Sequence, residues 1–113
     1  MFEAVKFESG IAVPMRDRTI TYVDVIRPDA PGRFAALLTR TPYDRTTSAN
    51  ISAPIHALQA ARDGWVVVIQ DVRGRFASDG DFNPFHQEID DGYDSVEWVG
   101  AQDWCTGRVG MFG

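Results

Sequence analysis

A single cysteine, Cys105, is all the thiol chemistry in the 113 residues. No internal disulfide can form, and one thiol makes no metal site, so a small buried side chain is the expected role. Basic charge is also scarce: 11 Lys and Arg stand against 16 Asp and Glu, a formal net charge of -5. Nucleic acid is bound by clustered cations that release counterions, and Arg73 with Arg75 is no such cluster. Long hydrophobic runs are missing too. The longest strongly apolar stretch, Trp65 to Ile69, falls far short of the roughly 20 residues that span a bilayer. The opening "MFEAVKFESG" carries acidic residues where a secretory signal has a basic region and an unbroken apolar stretch. These absences point to a cytoplasmic chain with neither a nucleic-acid nor a membrane partner.

What is present is ordinary for a globular domain: 44% hydrophobic and 24% charged residues, with no repeat, low-complexity tract or linker. "IAVPM" (Ile11 to Met15) and "TITYVDVI" (Thr19 to Ile26) are rich in strand formers and predict an antiparallel hairpin, closed by Pro28 after its second strand. Its turn, Asp17-Arg18, is poor, because a positive φ at Arg18 costs roughly 1 kcal/mol that glycine would not. "FAALLTR" (Phe34 to Arg40) and "WVVVIQD" (Trp65 to Asp71) are apolar without alternation, as strands buried on both faces of a parallel sheet are. Between them Ile51, Ile55 and Leu58 recur at helical spacing, with Pro54 in a first turn and Gly64 as a stop.

After a loop from Val72 to Gln87, the residues Ile89, Tyr93, Val96 and Val99 predict a second amphipathic helix, with Glu88, Asp90, Asp91, Asp94 and Glu97 on its wet face. Gly92 inside it costs about 1 kcal/mol against alanine. Either the helix is marginal there or another element packs close. "RVGMF" (Arg108 to Phe112) is the last expected strand, and the alternation of strands with helices argues for an α/β fold with a parallel sheet.

Two clusters invite chemistry on residue type alone. Asp79, Asp81, Asn83 and Asp90 stand at positions 1, 3, 5 and 12 of a calcium-loop template, which would make the chain a calcium-binding module. Pro84 where a glycine is needed, Asp where position 12 has Glu, and a buried strand ahead of the loop all oppose it. His56 and His86 could be matched with Ser78 or Ser95 as part of a triad, but no spacing implies such a pairing. Arg73 reads more naturally as an ion-pair partner for Asp79 or Asp81 than as a substrate clamp.

Read in order, "VPMRD", "DVIRP", "RTPYDR", "DGWVVVIQDVRGRFASDGDF" and "DGYDSVEWVGAQDWCTGRVGMFG" resemble the X-Pro dipeptidyl-peptidase and cocaine-esterase-like hydrolases. That branch of the α/β-hydrolase superfamily also holds the α-amino-acid ester hydrolases. The resemblance covers nearly the whole chain. It implies the N-terminal part of one α/β-hydrolase catalytic domain over residues 1–113: an antiparallel hairpin, then parallel strands with crossover helices, incomplete and truncated before the nucleophile elbow. In such enzymes the strand ending "VGMFG" feeds an elbow of form G-x-S-Y-x-G, whose first glycine matches Gly113. The elbow presents a serine at the carboxyl edge of the sheet with backbone N–H groups facing the oxyanion.

The resemblance further implies that the nucleophilic serine falls two residues past Gly113, with the acid and histidine later still. It gives Tyr43 the part of an oxyanion-hole donor, which suits a phenol that is neutral at pH 7; otherwise Tyr43 is a loop tyrosine that packs. No catalytic part falls to His56 or His86, and no cofactor is implied. Substrates would be small-molecule esters, α-amino-acid esters or X-Pro peptides. The 113 residues alone are expected to be inactive and to self-associate through an exposed C-terminal strand. A stand-alone interaction module is the rival reading, and the coding sequence past Gly113 separates the two.

Overall fold

A computed structural model describes residues 3–41, 57–71 and 88–112. Strands β1 (Val5–Pro14) and β2 (Ile20–Pro28) form the expected antiparallel hairpin. Its turn is closed by the Met15 N–H donating to Thr19 O at 2.8 Å and the Arg18 N–H donating to Met15 O at 2.9 Å. Arg18 takes a φ of 72°, the left-handed conformation that the Asp17-Arg18 sequence threatened. Arg18→Gly is therefore expected to stabilise the protein by about 0.5 kcal/mol, strain relief outweighing the entropy of a freer unfolded chain. Urea midpoints would read this, and a lower midpoint would show that the Arg18 side chain contributes more than its backbone costs.

β1 begins earlier than the apolar residues suggested, at Val5 and not Ile11. The stretch "KFESG" reads as polar because it lies on an outer strand, and its register slips between Glu8 and Ile11. Gly10, at φ 70°, forms the bulge. Its N–H and the Ser9 hydroxyl both donate to Asp24 Oδ1, at 3.1 and 2.8 Å, so the buried Asp24 carboxylate holds the irregular backbone in place.

Strands β3 (Phe34–Thr41), β4 (Val66–Asp71) and β5 (Cys105–Phe112) complete a five-stranded sheet in the order β1-β2-β4-β3-β5. β3 runs parallel to both β4 and β5, and β2 joins β4 antiparallel. Every residue of β4 is buried, as its unbroken apolar run requires. β5 starts three residues before the expected Arg108, because Cys105 already pairs with Phe34. The extra residues up to Val109 are taken up by an irregularity at Gly107, which has a φ of 95°.

Helices cover the two faces separately. Helix α1 (Ala57–Arg62) lays Ala57, Ala60 and Ala61 on Ile26, Val67 and Ile69, and Gly64, at φ 99°, follows it as the expected stop. Ile51, Pro54 and Ile55 lie outside the described residues. Leu58, expected on the buried face, is 42% exposed. The contact is made by alanines, which let the helix approach the sheet closely, and Leu58 points away from them.

Helix α2 (Glu88–Gly100) caps the other face, where Val13, Met15, Val23, Val25, Ala36, Leu38, Val66, Val68, Val99 and Cys105 form the larger core. Its orientation corrects the sequence reading. Asp91, Ser95 and Val99 are each 1% exposed, whereas Tyr93 is 61% exposed. A step of 100° per residue puts Asp91, Ser95 and Val99 on one stripe and Tyr93 opposite it. Ser95 can be buried because its hydroxyl donates to Asp91 O at 2.6 Å. The neighbour at Gly92 is the Arg40 guanidinium, whose Nη1 would stand 3.9 Å from an added Cβ.

Candidate active-site edge

The three parallel strands end together. Thr41 pairs with Asp71, and Thr39 with Phe112, so β3, β4 and β5 share one carboxyl edge. In open α/β sheets this is the edge where ligands bind. Because β2 is antiparallel to β4, the turn between β1 and β2 lies at the same edge, and so does the start of α2.

Polar residues gather there in strands that are otherwise apolar. On the α2 side, Arg40 Nε donates to Gln70 Oε1 at 2.7 Å, Gln70 Nε2 donates to Thr21 Oγ1 at 2.8 Å, and the Thr21 hydroxyl donates to Val13 O at 3.0 Å. Gln70 and Thr21 are fully buried. Arginine has donors only, so the amide oxygen of Gln70 must face it and the amide nitrogen must face Thr21, which fixes the direction of the relay. The hydrogen bonds cross four neighbouring strands, from β3 through β4 and β2 to β1.

A second tie joins the hairpin turn to α2. The Arg16 backbone N–H donates to Asp94 Oδ2 at 2.8 Å, and its guanidinium grips the same carboxylate through Nε and Nη2, the latter at 2.9 Å from Oδ1. Asp90 lies 3.4 Å from Arg16 Nη1, and the guanidinium carbon stands 5.8 Å from the centroid of the Tyr93 ring. The hydrogen bonds from Arg16 hold the Asp94 carboxyl below its ordinary value, and the same bonds raise the Arg16 guanidinium.

A carboxyl lowered in the folded state stabilises the protein above its unfolded value, near pH 4, and that contribution disappears as pH falls through the folded value. Asp94→Asn is therefore expected to lower the urea midpoint at pH 7, with variant and parent converging as the pH falls below the ordinary aspartate value and through the lowered folded one. A gap that persists at low pH would mean that the carboxylate charge is not what holds the turn.

The residues singled out from the sequence divide clearly. Tyr43, Gly113, Arg73, Asp79, Asp81, Asn83, His56, His86 and Ser78 lie outside the described residues. Asp90, the last position of the calcium template, faces Arg16, and no three His, Cys, Asp or Glu side chains cluster as a metal site among the described residues. Ser95 is buried with its hydroxyl committed to Asp91 O, which does not suit a nucleophile. Thr21, Arg40 and Gln70 carry no motif that marks them as a set in the sequence. The available signal was an Arg and a Gln near the ends of two apolar runs.

Residues 17–113 match the X-Pro dipeptidyl-peptidase (S15 family). The chain belongs to that family, which is one of hydrolases. It is 46% identical over 106 residues to the cocaine esterase of Rhodococcus sp. (strain MB1 Bresler), an alignment that takes in 93% of this chain and 18% of the esterase. A CocE/NonD family hydrolase from Staphylococcus aureus superposes with a TM-score of 0.85 at 24% identity, over 95% of this chain and 22% of that one, and shares the fold. An α-amino acid ester hydrolase superposes at 0.76 with 27% identity, over 96% and 21% of the two chains. The five-stranded sheet is thus that of an α/β-hydrolase, and the chain spans about a fifth of the length of these relatives. No helix among the described residues is long and apolar enough to cross a membrane.

Proposed function

We propose that these residues form the N-terminal frame of a serine hydrolase that cleaves ester or amide bonds through an acyl-enzyme. The observation that carries this reading is the parallel pairing of β3 with β5, which brings Thr39 opposite Phe112. Paired strands lie about 4.8 Å apart. Phe112 and Thr41 therefore end neighbouring strands on one edge, Thr41 two residues further along than the partner of Phe112. A serine on an elbow beginning at Gly113 would attack the acyl carbonyl from that edge. The Tyr43 hydroxyl would donate to the oxygen as it becomes negative, beside the backbone N–H that follows the serine.

Histidine and its acid, supplied from elsewhere in the longer protein, pass the serine proton to the leaving group, and water then releases the acyl-enzyme. This chemistry calls for no cofactor. Identity to an esterase favours small acyl or α-amino-acid esters over X-Pro peptides as substrate. A cytoplasmic setting fits the lone buried thiol of Cys105. The test is a pre-steady-state assay of the full-length protein with a p-nitrophenyl ester. A burst of one nitrophenol per enzyme followed by slower turnover is expected, and linear turnover with no trappable acyl-enzyme under any condition would overturn the reading.

A further inference from the structure

We infer that the bulge in β1 closes the outer edge of the sheet against strand pairing with a second copy of this chain. β1 stands at one end of the strand order, and among the described strands it pairs with β2 alone. Unpaired N–H and C=O groups on such an edge are a template for another strand. The sequence of this edge suits a copy of itself. In an antiparallel pair about a two-fold axis at Phe7, Phe7 meets Phe7, and Lys6 of each copy meets Glu8 of the other, an apolar pair flanked by opposite charges. Phe7 is 51% exposed and so offers the area for that contact.

The next two residues interrupt the ladder. Glu8 pairs with Val25 and Ile11 with Val23, so Ser9 and Gly10 together stand opposite the one residue Asp24. Gly10, at φ 70°, turns the strand out of the extended form that a pairing edge requires. Asp24 Oδ1 holds it there, accepting from the Ser9 hydroxyl at 2.8 Å and from the Gly10 N–H at 3.1 Å, and the carboxylate is buried. Burying a carboxylate is costly, and an apolar side chain in a regular ladder would serve the pairing of β1 with β2 at least as well. The effect of the irregularity falls instead on the outer edge, where Pro14, which has no N–H to offer, ends the same strand.

Gly10 can be removed without shifting the pairing on either side, because Glu8–Val25 and Ile11–Val23 then flank a one-to-one pair of Ser9 with Asp24. The full-length protein lacking Gly10 is expected to keep or raise its urea midpoint and, as concentration rises, to sediment at about twice the mass of the parent. Amides from Val5 to Ser9 should gain hydrogen-exchange protection in the larger species. Phe7→Lys in the same background puts like charges across the two-fold axis and should return the mass to that of the parent. Asp24→Val removes the acceptor shared by Ser9 and Gly10; it should act in the same direction, and it serves as the test if the deletion does not fold. A folded deletion protein that keeps the mass of the parent at every concentration overturns the inference, and a lowered urea midpoint beside that unchanged mass would assign the bulge to the stability of the hairpin. Association that survives Phe7→Lys overturns it as well, since the contact would then lie elsewhere.

Discussion

Full-length enzyme carrying Tyr43→Phe should lose about 10²–10³ in kcat, the cost of one oxyanion-hole donor, with KM little changed. The expectation follows from when the hydrogen bond matters. A carbonyl oxygen in the ground state carries little charge and gains little from a phenol, but the tetrahedral intermediate places a full negative charge there. An interaction that strengthens only in the transition state appears in kcat and not in KM. Phenylalanine keeps the ring and removes the donor alone, so packing is conserved. A loss of similar size in 1/KM, with kcat unchanged, would instead mark Tyr43 as a substrate contact. No loss in either would make it the packing tyrosine that the sequence also allowed.

The second large effect concerns the 113 residues taken alone. They are expected to show no ester hydrolysis above background, because the proposed nucleophile, general base and acid all fall outside them. Among the described strands β5 pairs only with β3, and its Met111 is 55% exposed. An unpaired edge with apolar side chains is a template for strand addition, so the isolated chain should elute from a sizing column as a species larger than a monomer. Saturable ester cleavage by a stable monomer of these residues would contradict both expectations and would return attention to serines within the chain.

Much of the frame can be read from short stretches of sequence. The continuous apolar runs ending in Arg40 and Asp71 mark buried parallel strands because no alternating pattern survives burial on both faces. The strain at Arg18 follows from a two-residue comparison with glycine. Helix orientation is harder, since periodicity assigns residues to a stripe without knowing what the stripe meets. Helical spacing puts Tyr93 with the apolar residues, yet it stands outside beside Arg16, while Asp91 turns inward with Ser95 and Val99. Alanines of α1, weak signals in a hydropathy pattern, make the sheet contact that Leu58 was expected to make.

The edge itself is the least legible part. The partners of Gln70 lie 30 and 49 residues away in sequence, at Arg40 and Thr21, and no local pattern couples them. They meet only because the strand order places β4 between β3 and β2. The motif segments around Arg16 and Asp94 are likewise distant in the chain and joined in space, 78 residues apart. Resemblance to a family signals such residues as a set. In space the two segments "VPMRD" and "DGYDSVEW" meet: Arg16 of one grips Asp94 of the other and holds the hairpin turn against the helix.

On the proposed reading this sheet presents a serine just past β5, which can be tested by labelling the full-length protein with a fluorophosphonate and mapping the modified residue by mass spectrometry. One modified serine is predicted, the second residue after Gly113, with labelling slowed in Tyr43→Phe and absent when that serine is alanine. Modification at Ser78 or Ser95, or an active enzyme that takes no label, would contradict it.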